Sequence, residues 1–212
     1  MARPDPIPTL KRSKHWTASK QEKHMDRFDS IRPYNDDEVA SVLQRLLSDE
    51  DFLSIITQYR FPVASRYFSW LLRPIIARKL RNELSQINSV SALQKRIESY
   101  VEHSISQATD GISFSGIEHL QAGQPHLYLA NHRDIVMDPA FVNYALFQAK
   151  HDTPRIAIGD NLLQRPFVSD LMRINKSFIV HRSLTSRREK LQAFQLLSAY
   201  INHSILEDKE SI

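Results

Sequence analysis

The 212-residue sequence contains no cysteine. That excludes disulfides, thiolate metal centres and thiol nucleophiles, and it fits a reducing compartment. Glycine is almost as scarce: Gly111, Gly116, Gly123 and Gly159 are the only four, all in the second half. Neither a phosphate-cradling P-loop nor a dinucleotide fingerprint can be written from them, which excludes nucleotide-binding enzymes of those two kinds. No apolar run approaches the roughly 18 residues of a spanning helix. The first residues are charged and broken by proline, without the apolar core of a signal peptide. Asp and Glu are absent from the whole of 60–82.

The charge that is present is unevenly placed. Residues 1–35 hold eight Lys or Arg against four Asp or Glu, whereas 36–212 hold twenty of each, so the net +4 belongs to the N-terminal stretch. A basic tail alone is weak evidence for nucleic acid, and no nucleic-acid motif accompanies it, so no nucleic-acid partner is expected. A chain of this length buries roughly 70% of its unfolded surface, ample for a core.

Three regions follow from the pattern. Residues 1–34, with Pro4, Pro6, Pro8 and Pro33, lack periodicity and read as a mobile basic tail. Residues 35–110 read as all helical. Asn35 is the expected N-cap of a helix whose apolar face is Val39, Val42, Leu43, Leu46 and Leu47, with three acids in its first turn. A second helix is expected at 52–59, ending before Pro62. In 60–82, six cations alternate with Tyr67, Phe68, Trp70, Leu71, Leu72, Ile75 and Ile76, and Pro74 should kink the helix. Such a helix suits the surface of an anionic membrane, or equally a core-packed helix with solvated arginines. Ser91 with Gln94 forms a capping-box pattern for a further helix ending near Gly111.

From 111 the pattern alternates. Strands are expected at 112–115, 126–130, 155–158 and 177–180, and helices at 139–150, 166–174 and from a capping box at Ser186 and Glu189 to about 206. The class is therefore α/β: a mainly parallel sheet covered by helices in three layers, preceded by the helical region. Ligands of such sheets sit beyond the carboxyl ends of the strands, and His132, Asp160 and Arg182 each follow one. A histidine just after a strand, with Asp134 two and Asp138 six residues later, suits a His–Asp pair. Asp138-Pro139 also reads as N-cap and first helical residue.

Asn131-His132 with Asp138, then Ile158-Gly159-Asp160-Asn161-Leu162, then Phe178-Ile179-Val180-His181-Arg182 resemble, in that order, blocks of the glycerol-3-phosphate/1-acylglycerol-3-phosphate acyltransferase superfamily. The helical first half is similar to that of larger bacterial members. Two departures stand out. Five residues separate His132 from Asp138 where the family has four, so either Asp138 or Asp134 is the partner of His132, with Asp138 preferred. The family's third block, Glu-Gly-x-Arg, has no counterpart, and another strand is expected just where the sequence ends at Ile212.

The resemblance implies acyl transfer from a thioester, either acyl-coenzyme A or acyl carrier protein, to a hydroxyl of glycerol-3-phosphate or a lysophospholipid. His132 would be the general base and Asp138 its orienting carboxylate. Arg182 would hold the acceptor's phosphate, assisted by Asn131, Asn161 and Lys176. Neither a metal nor a cofactor is implied. The protein would work in phospholipid synthesis, peripheral on the cytoplasmic face of an anionic membrane. A truncated, non-catalytic lipid- or membrane-binding protein is the alternative.

Overall fold

The computed structural model describes residues 27–131 and 133–212. Ile31–Ile212 forms one compact unit, and its helical and α/β stretches share a core. The expected 1–34 tail lies mostly outside the described residues.

Helix α1 spans Asp36–Ser48. The Asn35 amide donates to Glu38 Oε2 at 2.8 Å, and the Arg32 guanidinium pairs with the same carboxylate at 2.6 Å. This places charge at the end where unpaired backbone amides welcome it. Its buried face is Val39, Val42, Leu43, Leu46 and Leu47, as the periodicity predicts. Helix α2, Glu50–Arg60, begins at Asp49, whose carboxylate accepts from the Phe52 amide at 2.8 Å. Helix α3 spans Ser65–Leu84. Its break falls at Phe68 (φ −127°, ψ 26°) and not at Pro74. The opening turn is tied back to 61–64 by its own bonds, among them the Phe68 amide to the Ala64 carbonyl at 2.9 Å. Helix α4, Val90–Ala108, is capped by Ser89, which accepts from the Ala92 amide at 3.2 Å, not by Ser91. Gln94 faces away and accepts from Thr153 Oγ1 at 2.8 Å.

Helix α5 is Met137–Gln148, strand β1 Ile156–Gly159, helix α6 Pro166–Ile174, strand β2 Ser177–Val180 and helix α7 Arg187–Leu206. A 3-10 turn, Asp160–Leu162, joins β1 to the approach of α6. Phe167 and Ile174 of α6 complete the cluster of Val39, Val42, Leu43, Leu46, Phe52, Val90 and Leu93. Behind the sheet, the buried rings of Phe178 and Tyr200 meet as a tilted pair with centroids 5.2 Å apart, packing β2 onto α7.

The sheet is smaller than expected. β1 and β2 pair in parallel, Ile156 opposite Ser177 and Gly159 opposite Val180, and they are the only strands among the described residues. Ile31 flanks β2, accepting from the Ile179 amide at 2.8 Å. On the other side, Ser211 accepts from the Arg155 amide at 2.8 Å, while Tyr128 and His126 exchange bonds with Ile212 at 2.6 and 2.9 Å. That reciprocal pattern is parallel pairing, yet it stops at Tyr128. Residues 126–130 therefore run extended without becoming the expected strand, and Leu129 stays 88% exposed. Residues 112–115 form no strand either. A strand needs a ladder partner for its amides and carbonyls, and both segments carry the right residues without one along their length.

Candidate functional site

The turn after residues 126–130 leads straight into α5. His132 lies outside the described residues, while its neighbours Asn131 and Arg133 are described and exposed. Asp134 Oδ1 accepts from the amides of Val136 and Met137, each at 2.8 Å. It satisfies amides that the start of α5 leaves without helical partners. Asp138 Oδ2 accepts from the amides of Arg133 and Asp134, at 2.7 and 2.8 Å. The expected capping role of Asp138 is thus corrected. The helix starts two residues earlier, Asp134 takes the capping bonds, and Asp138 sits in the first turn with its carboxylate bent back over the loop. That carboxylate is hydrogen-bonded to the peptide immediately after position 132.

A second polar group forms at the carboxyl ends of β1 and β2. Asp160 Oδ1 accepts from the Arg182 amide at 3.0 Å and from the Ser183 amide and hydroxyl at 3.2 and 3.0 Å. His181 Nδ1 lies 3.5 Å from Asp160 Oδ2. Partial burial pushes the Asp160 carboxyl upward, but the donors of Arg182, Ser183 and His181 outweigh it and hold the group below its ordinary range. Gly159 makes room beside them. A methyl group there would collide with Asn161 Oδ1 and come within 3.2 Å of Arg182 Cδ. Asn161 and Arg182 therefore close together over the glycine, with Arg182 exposed at the strand end.

Lys176 belongs elsewhere. It precedes β2 at the opposite end from Arg182, and its ammonium bonds the Thr153 carbonyl at 3.0 Å and Glu210 at 2.8 Å. Its side chain is largely buried in that ion pair, so the expected role beside Arg182 does not fit its position. The residue that sequence reasoning left without a role is Asp160. Its place after a strand was visible, but its partners come from 22 and 23 residues further along the chain.

Residues 111–203 match the family model named Acyltransferase. No curated protein and no solved structure matches the chain. The matched stretch contains the 131–138 turn, the Asp160–Arg182 group and both strands. Residues 111–203 of this chain are therefore similar to the acyltransferase family.

Proposed function

We propose that the protein moves a fatty acyl group from a thioester to a hydroxyl of glycerol-3-phosphate or a lysophospholipid. His132 takes the proton of the acceptor hydroxyl as its oxygen attacks the thioester carbonyl carbon. The carbon–sulfur bond breaks, and the leaving thiolate receives that proton from the imidazolium. General base catalysis of this kind contributes about 10²–10⁴-fold. Asp138 orients the imidazole and steadies its charged form. Arg182 meets the acceptor's phosphate, which a guanidinium fork suits, with Asn161 beside it and Asn131 at the turn. The donor is acyl-coenzyme A or acyl carrier protein, and the reaction takes place on the cytoplasmic face of a membrane.

The observation that supports this reading most is Asp138. Its carboxylate is held against the Arg133 amide at 2.7 Å, one residue from His132, inside the matched stretch. The test is thiol release from a 16-carbon acyl thioester, with glycerol-3-phosphate or lysophosphatidate as acceptor. Acceptor-dependent release that falls by about 10²–10⁴-fold in His132→Ala supports the reading. Unchanged release in that variant sinks it. The second reading is a lipid-binding protein without activity. That reading stands if the folded wild-type protein binds acceptor lipid and releases no thiol.

A further inference from the structure

Helix α3 turns the wrong face outward for a helix that only covers a core. At 3.6 residues per turn, Trp70, Leu71, Pro74, Ile75, Arg78 and Arg81 share one stripe. Every one of them is exposed, and Trp70 is 73% exposed. The opposite stripe supplies the contact with the protein through buried Ile76 and half-buried Leu72 and Leu80. The exposed stripe continues into the turn before α3 and into α2 through Tyr67, Val63 and Tyr59, exposed to 73%, 73% and 80%. Single exposed apolar side chains are ordinary, but a contiguous patch of aromatic and branched residues marks a binding surface.

Charge then selects the occupant. Residues 60–82 hold Arg60, Arg66, Arg73, Arg78, Lys79 and Arg81 and no acid. Arg73 is turned inward, donating to Ser54 Oγ at 3.3 Å, and Lys79 lies 3.9 Å from Glu83. Arg60, Arg66, Arg78, Lys79 and Arg81 all stay exposed around the apolar stripe. A second copy of this face would bring cations against cations, and residues 1–26 carry the same sign of net charge, so neither suits the patch. Trp and Tyr at the rim of aliphatic bulk, with arginines able to extend outward, match the boundary between headgroups and acyl chains. No helix among the described residues is long and apolar enough to cross a membrane, so α3 would lie on the surface.

We infer that the exposed stripe of α3, with the adjoining turn and the end of α2, docks the protein on an anionic lipid surface, Trp70 entering the headgroup layer and Arg78, Lys79 and Arg81 pairing with lipid charge. The inference stands on this surface and not on the acyl-transfer reading, so binding and turnover are measured separately. The full chain carrying Trp16→Phe keeps Trp70 as its only tryptophan. It is mixed with vesicles of phosphatidylcholine alone or with three-tenths phosphatidylglycerol at 0.1 M salt. Expected are flotation with the anionic vesicles only, a blue shift of Trp70 emission, and quenching by bromine-labelled acyl chains. At roughly fivefold per cation near an anionic surface, Arg78→Gln, Lys79→Gln and Arg81→Gln together should weaken binding by about 10²-fold. Trp70→Ser with Ile75→Ser should abolish flotation with the anionic vesicles while circular dichroism stays unchanged. Flotation with Trp70 emission unmoved overturns the inference, since other residues then bind. So does equal binding of the triple variant, or binding of DNA or acyl carrier protein without binding of vesicles. Thiol release with a short-chain thioester and glycerol-3-phosphate, both water-soluble, should not change in any of these variants, which keeps a failure of docking distinct from a failure of the catalytic reading.

Discussion

Asp134 and Asp138 bond in opposite directions around the same turn. The first reaches forward to the amides of Val136 and Met137, and the second reaches back to those of Arg133 and Asp134. One carboxylate builds the helix start, and the other ties the helix to the loop that carries His132. Asp138→Asn keeps an acceptor oxygen for the two amides and loses the charge, so turnover should drop by about 10²–10⁴-fold with the fold intact. Asp134→Ala should cost about 1 kcal/mol of stability, the usual value of a lost cap, with a far smaller effect on turnover. Rates and urea midpoints of the two variants decide. The reverse pattern would make Asp134 the partner of His132.

Gly159 and Asp160 govern where Arg182 points. An alanine at 159 would strike Asn161 Oδ1 and crowd Arg182 Cδ. Removing the Asp160 carboxylate would release the amides of Arg182 and Ser183. Both Gly159→Ala and Asp160→Ala should raise KM for the phosphorylated acceptor by about 10- to 100-fold, as expected for a displaced positioning group. KM for the thioester should change little. Asp160→Asn, which keeps one acceptor oxygen, should recover part of the loss. An acceptor KM untouched in all three would separate Arg182 from the acceptor site.

Lys176 offers a contrast at the other end of β2. Its ammonium joins the Thr153 carbonyl and Glu210 in a mostly buried arrangement. Lys176→Met should lower stability by about 1–3 kcal/mol, the penalty of leaving charged and carbonyl acceptors without their donor, while the acceptor KM holds. A raised acceptor KM at full stability would restore Lys176 to the binding site.

How much of this was legible follows from what each element depends on. The face of α1 could be read residue by residue, because helical periodicity is local and one side of the helix is fully covered. β2 and α6 were read at their observed bounds for the same reason, each bounded by clear turn residues. Residues 126–130 have a strand's composition, but a strand is made by its neighbour, and Ile212 meets only their first half. Periodicity showed that 60–82 has apolar faces without showing which one meets the protein. Only the burial of Ile76 against the exposure of Trp70 decides that. At the site, spacing could not separate Asp134 from Asp138, since their roles depend on where α5 begins. Asp160 stayed silent because its donors are distant in sequence.

Acid should weaken the contact between α1 and α6 before neutral pH does anything to it. Asp170 of α6 accepts from Arg45 Nε and Nη2 at 2.9 Å each and from the Tyr34 hydroxyl at 2.7 Å. Burial pushes this carboxyl upward, and the bonds from Arg45 and Tyr34 with the charges of Arg45 and Arg173 outweigh it, so its pKa is lowered. Glu38 is lowered as well, burial again opposing and the Arg32 bond and the Asn35 amide prevailing. A carboxylate with a lower pKa folded than unfolded binds fewer protons folded. Its stabilisation is therefore present above the unfolded value of about 4 and is lost as pH falls through the folded value. The urea midpoint should stay level from these groups between pH 7 and 5, then decline below about 4. Asp170→Asn should lower the midpoint at pH 7 and flatten that decline, because one of the titrating groups is gone. A variant that declines as steeply as the wild type would show that the Arg45–Asp170–Tyr34 group contributes nothing to acid sensitivity, and that other carboxylates carry it.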